Sequence, residues 1–257
     1  MGVAILLRKN MTYSLFREFL LAALEEIPKA FKNEKLKFYL LSPYITESKN
    51  GYSILNDQLQ NSIKQAKACK NTDFVFFSNK YEYTNQYKNH NFIEFFKKLA
   101  LINKIVSKNN FYWLHNNTNT NINIFWHAKL FITTKNDKPI FTIIGSSNLT
   151  APAYSFENNK NDNRLKPQWF NIEADVLIWT RKIDKYKVVS EIRKKVYANL
   201  HKQKVEVPPI IWTDDIEDLY TVDNALNDLF NKVKTLLKPE NRVSNDIRGG
   251  DYDSTKV

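Results

Sequence analysis

An α/β/α sandwich around a mixed β-sheet, followed by C-terminal helices, is the fold the sequence predicts. Three observations lead there: helical and strand-like segments alternate through the first half, short apolar strands crowd the middle, and two long helical patterns close the chain. In order, Leu15, Phe16, Phe19, Leu20, Ala23 and Leu24 recur at helical spacing across residues 13–26, and Lys37 to Ile45 reads as a buried strand. A helix over Leu59–Lys70 leads to an aromatic strand over Asp73–Ser78, and a further helix covers Phe92–Ser107. Strands are then predicted at Phe111–His115, Ile122–Ile132 and Pro139–Gly145, close enough together to suggest antiparallel pairing.

Thr150-Ala151-Pro152 has the form of an N-cap with proline in the first turn, so a helix is expected directly after Ser146-Ser147-Asn148. Glu157 to Gln168 reads as a surface loop, and Phe170 to Trp179 as the last strand before the helices Lys185–His201 and Asp214–Leu237, which Val207-Pro208-Pro209 separates. The expected organisation is one α/β domain over residues 1–182, a helical extension over 183–240 and a flexible tail over 241–257. No internal repeat is present, so a motif that occurs once is not duplicated elsewhere.

Composition narrows the partners. Lys and Arg number 38 against 27 Asp and Glu, a formal charge of +11 that suits a polyanionic partner such as nucleic acid or an anionic membrane face, or equally a solvated lysine surface. Cys69 is the single cysteine, which excludes an intrachain disulfide and a multi-cysteine zinc site and suits a reducing cytoplasm. Arg8, Lys9, Arg17 and Glu18 interrupt the apolar N-terminal stretch before a signal-peptide core or membrane span could form. Leu6 stands where a myristoylation signal needs Ser or Thr, so no membrane association is expected.

The chemistry-bearing residues come in same-face pairs. Side chains two apart on a strand project to one side, so His127 and Lys129 form a base beside a cation. An imidazole can attack phosphorus while an ammonium stabilises the charge that grows on the phosphoryl oxygens. A lone His-x-Lys arises readily by chance in a lysine-rich chain and decides nothing by itself. Ser146 and Asn148 form a second pair just before the capped helix, whose N-terminus suits an anion; Gly-Ser-Ser-Asn is also ordinary turn material. Asn171 and Glu173 form a third pair. Glu173 can accept a hydrogen bond from one nitrogen of His127 and free the other to attack, or be a solvated strand-end acid.

Taken together, His127-x-Lys129, Gly145-Ser146-Ser147-Asn148-Leu149-Thr150 and Asn171-x-Glu173 resemble the motif of the phospholipase D superfamily, closest to its nucleases and restriction endonucleases. The resemblance spans roughly Leu40 to Trp179 and includes Leu41-Ser42-Pro43-Tyr44-Ile45. It implies a phospholipase D-like fold, with His127 as nucleophile or general acid, Lys129 and Asn148 as phosphate ligands, and Glu173 as the carboxylate orienting the histidine. Ser146, Ser147 and Asn171 fall on the substrate-binding side. The family's Asp five residues after the lysine is here Thr134, a position whose role in the family looks structural. Because the reaction needs two histidines and the motif occurs once, the resemblance implies a homodimer with one shared site.

The activity this implies is a metal-independent DNA endonuclease working through a covalent phosphohistidine, in restriction or phage defence, that either cuts with little specificity or borrows it from a specificity or helicase subunit. The alternatives are a phospholipid-directed enzyme of the same superfamily and a catalytically silent nucleic-acid-binding subunit. No metal or cofactor is expected: His90, His115 and His201 share no ligand spacing, and Asp214 with Glu217 reads as a capping box. Nine basic residues between Arg181 and Lys204, with Tyr186 and Tyr197 among them, suit either a phosphate backbone or a solvated helix face.

Overall fold

The computed structural model describes residues 1–8, 14–47, 53–80, 86–114, 129–147, 149, 173–202, 210–213 and 219–246. Its strands are β1 (Gly2–Arg8), β2 (Leu36–Leu41), β3 (Thr72–Asn79), β4 (Phe111–Leu114), β5 (Lys129–Lys135), β6 (Lys138–Gly145), β7 (Glu173–Trp179) and β8 (Ile210–Thr213). The α-helices are α1 (Leu15–Ala30), α2 (Gln60–Ala68), α3 (Gln86–Phe96), α4 (Arg181–Asp184), α5 (Val188–Lys202), α6 (Leu219–Lys234) and α7 (Val243–Asp246). Wider π-helical turns at Leu55–Leu59 and Lys97–Ile102 lead into α2 and extend α3.

All eight strands form one sheet in the order β4-β3-β2-β5-β6-β7-β1-β8. β2, β3 and β4 run parallel, and every pairing from β2–β5 to β1–β8 is antiparallel, so the sheet is mixed as expected. Strand alternation sorts the apolar residues into two cores. Phe38 and Leu40, Phe74 and Phe76, Phe131, Phe141 and Ile143, and Leu177 and Trp179 share a core with α1, α2, α3 and α5. Tyr39, Leu41, Val75, Phe77, Leu130 and Ile132 meet Phe230 and Val233 of α6 on the other face. Aromatic rings fill the first core, Phe38 on Phe74 at 5.0 Å and Phe76 on Phe111 at 5.1 Å between centroids.

Ser14 caps α1, its hydroxyl accepting from the Arg17 N–H at 3.1 Å. Arg17 and Glu18 break the apolar run in the sequence, yet both are buried: they pair at 2.8 Å, and Asn199 of α5 donates to Glu18 at 3.2 Å. This polar joint ties α1 to α5, which explains how two charges sit inside a helix interface.

The structure departs from the expected elements in three places. β4 pairs parallel with β3 and not antiparallel with its successors, because the intervening α3 carries the chain back to the end where β3 began. β1 was not foreseen, since Gly-Val-Ala-Ile-Leu-Leu-Arg has no period-two alternation; it becomes a strand by lying between β7 and β8. β8, four residues just after Pro208-Pro209, was hidden between the C-terminal helical patterns, and its pairing with β1 brings part of the expected helical extension into the sheet. The expected strand residues 122–128, the helix after Thr150, the loop Glu157–Gln168, the capping box at Asp214 and most of the tail lie outside the described residues.

Candidate active site at one edge of the sheet

Strand directions bring the motif segments to one edge. The C-terminal ends of β1, β2, β3, β4 and β6 meet the N-terminal ends of β5 and β7 there. Three segments separated by many residues in sequence thus become neighbours on the adjacent strands β5, β6 and β7. Lys129, Gly145 and Asp175 occupy one row, Lys129 opposite Gly145 and Gly145 opposite Asp175. Directly opposed residues in antiparallel strands share a face, so the three stand on the same side of the sheet. Lys129 is half-buried at the first position of β5. Glu173 opens β7, level with Arg8 of β1.

Gly145 is required by crowding. A Cβ at this position would stand 2.3 Å from Asp175 Oδ1 and 2.4 Å from the Ala174 carbonyl oxygen, far inside contact distance. Its absence lets β6 pass against β7 where a buried carboxylate rises between them. Ser146 is exposed and holds the strand junction: its N–H donates to the Ala174 carbonyl at 3.1 Å, and its hydroxyl oxygen accepts from the Ala174 N–H at 3.0 Å. Ser147 is buried, and its side chain, expected to meet substrate, is engaged elsewhere. Its N–H donates to Asp175 Oδ1 at 3.2 Å and its hydroxyl to Asp175 Oδ2 at 2.6 Å.

Beyond the β6 end, Leu149 is held at both its backbone groups. Its N–H donates to the Ser42 hydroxyl oxygen at 2.9 Å, and its carbonyl accepts from the Thr46 N–H at 2.9 Å. Ser42 in turn donates to the Tyr44 carbonyl at 2.5 Å, which fixes the direction of its hydroxyl. Further along, Glu47 is fully buried and receives the Ser53 hydroxyl at 2.5 Å and the Lys98 ammonium, anchoring the segment that follows β2 to the helical layer.

The expected site residues divide accordingly. Lys129, Ser146, Ser147 and the start of β7 at Glu173 come together; His127, Asn148 and Asn171 lie outside the described residues, each within two positions of a described strand or of a held turn. Asp175 was not singled out from sequence, and Ser42 entered only within the Leu41–Ile45 segment of the resemblance, with no role. Asp175 had a signal, because the polar spacing of residues 171 and 173 continues to it through a strand otherwise read as apolar. Thr134 lies at the other end of β5, fully buried beside a local shift in register, with its hydroxyl donating to the Lys37 carbonyl at 3.3 Å. Among the described residues, no three or more His, Cys, Asp or Glu side chains are grouped to hold a metal ion, and no helix is long and apolar enough to cross a membrane.

No family model and no curated protein matches the chain. Solved structures do. The chain is similar to the yeast tyrosyl-DNA phosphodiesterase at 11% identity and a TM-score of 0.38, over 68% of this chain and 46% of that one. It is similar to the phosphatidylserine synthase of Haemophilus influenzae at 10% identity and a TM-score of 0.42, over 90% and 44% of the two chains. A third similarity, to the polyphosphate kinase of Porphyromonas gingivalis, has 12% identity and a TM-score of 0.34, over 69% and 24%. The chain spans less than half the length of each of these three proteins.

Proposed function

We propose that this chain is a metal-independent phosphodiesterase of the phospholipase D type that cleaves DNA in a site shared by two copies. The observation that carries the reading is the meeting of Lys129, the Gly145-Ser146-Ser147 turn and the Glu173 start of β7 on three adjacent strands. Motifs that resemble one superfamily in sequence could have been scattered over the surface; adjacency at one edge is what a common reaction requires. The +11 charge supports a polyanionic substrate.

In this reading a nitrogen of His127 attacks phosphorus, and the bond from phosphorus to the leaving oxygen breaks as that oxygen takes a proton from the His127 of a second copy. Water then attacks the phosphohistidine, returning a proton to that second histidine and freeing the first. Lys129 and Asn148 stabilise the non-bridging oxygens, Glu173 orients the histidine, and Ser146 with Asn171 borders the substrate. The homodimer follows from the need for two histidines. Restriction or phage defence in the cytoplasm, with a specificity or helicase subunit choosing the site, is the setting in which such an activity fits.

The test is cleavage of plasmid and single-stranded DNA in excess EDTA by the parent chain and by His127→Ala. The reading expects cleavage by the parent alone, with DNA binding retained in the variant. Equal activity of the two proteins rejects His127 as nucleophile, and faster hydrolysis of a phospholipid than of DNA rejects the substrate.

A further inference from the structure

We infer that Asp175 is a positioning residue for the phosphate-binding turn, acting through Ser147 to hold the backbone that carries Asn148; the inference rests on the phosphodiesterase reading above. Asp175 is 3% exposed, and both of its carboxylate oxygens accept from Ser147, one from the backbone N–H at 3.2 Å and one from the hydroxyl at 2.6 Å. A buried carboxylate is costly unless donors surround it, so a strand that could have carried an apolar residue here has a reason not to. The two bonds do what an apolar side chain could not: they hold one residue, Ser147, by both its backbone N–H and its side chain.

That residue stands immediately before Asn148. The residue immediately after it, Leu149, is held in turn by Ser42 at 2.9 Å and by Thr46 at 2.9 Å. Asn148 therefore stands in the sequence between two anchored neighbours, one tied to β7 and one to the segment after β2. Gly145 belongs to the same device, because only a residue without Cβ lets the Asp175 carboxylate lie over the end of β6. Ser147 on this account supports the turn from inside. A turn whose described flanks, Ser147 and Leu149, are fixed in advance leaves less to reorganise when charge develops on phosphorus.

Steady-state cleavage of a single-stranded oligonucleotide in excess EDTA tests this, using the parent, Asp175→Asn, Asp175→Ala and Ser147→Ala, each with a thermal unfolding curve. Loss of the clamp is expected to lower kcat about 100-fold in Asp175→Ala with KM changed less than about threefold, since small misplacements cost rate more than binding. Asp175→Asn keeps an acceptor for the Ser147 N–H and is expected to recover about tenfold of that loss. Ser147→Ala, which keeps the backbone bond, is expected to resemble it. If Asp175→Ala fails to fold, the other two variants decide. Parent-like kcat in Asp175→Asn and Ser147→Ala overturns the inference while leaving the phosphodiesterase reading intact, as does a change confined to KM. An inactive parent overturns both.

Discussion

The two edges of the sheet use polar residues in opposite ways. At the site edge the carboxylate of Asp175 is buried and satisfied by Ser147, and the neighbouring Gly145 has no room for a side chain. At the far edge β5 turns into β6 through Asn136 and Asp137, both with positive φ (49° and 60°), the backbone that a two-residue hairpin prefers and that Asn and Asp tolerate. There Lys35 pairs with Asp137 at 2.9 Å and Lys135 with Glu34 at 2.8 Å, the first pair more than half exposed. Buried donors and acceptors cannot fall back on water, whereas exposed ones can, so substitutions at the two edges should differ greatly in effect.

Gly145→Ala should show the largest effect, because the added methyl meets the Ala174 backbone carbonyl, which cannot rotate away. A loss of about 3 kcal/mol is expected from such overpacking, visible as a lower denaturant midpoint and lost cleavage. Full stability would mean that β6 and β7 separate more easily than their pairing implies. Next comes Thr134→Asp, which installs the aspartate of the motif that the sequence resembles in a buried site where the hydroxyl now donates to the Lys37 carbonyl. A carboxylate there faces an acceptor with no donor beside it among the described residues and is expected to destabilise by about 3 kcal/mol without raising activity. Increased cleavage would show that the departure at Thr134 limits catalysis. Thr134→Val removes one hydrogen bond and should cost about 1 kcal/mol by the same measurement.

The far edge should respond least. Lys35→Ala is expected to change stability by no more than about 0.5 kcal/mol, as for most exposed pairs, and a larger change would mean the pair anchors the hairpin. The bond from Lys35 holds the Asp137 carboxyl below its ordinary range, as the bond from Lys135 does for Glu34. A lowered folded pKa means that the unfolded chain takes up protons first as pH falls. The stabilisation is therefore complete above the ordinary carboxylate range and lost as pH drops through the folded values. Unfolding curves between neutral pH and pH 3 should show Lys35→Ala converging with the parent at the acid end. A difference that grows with acid would reverse the assignment.

Legibility followed burial and locality. The longer helices α1, α2, α3, α5 and α6 and the strands β2, β3, β4, β6 and β7 were readable because apolar spacing reports directly on a face that must be covered, whereas the short α4 and α7, the latter within the expected tail, were not. The same alternation made Lys129, Ser146 and Glu173 readable as members of same-face pairs. Ser42 was not readable as a support, since a serine after a strand has many ordinary uses and its partner Leu149 is more than a hundred residues away.

By itself, then, the sequence determined the alternating layers, the basic charge and the three polar pairs, all of which are properties of neighbouring residues. Only the tertiary structure decided that β7 lies beside the β5–β6 pair, that β1 and β8 complete the sheet, and that Asp175 grips Ser147. Strand order and buried polar pairing depend on which distant segments meet, and local periodicity carries no record of that choice.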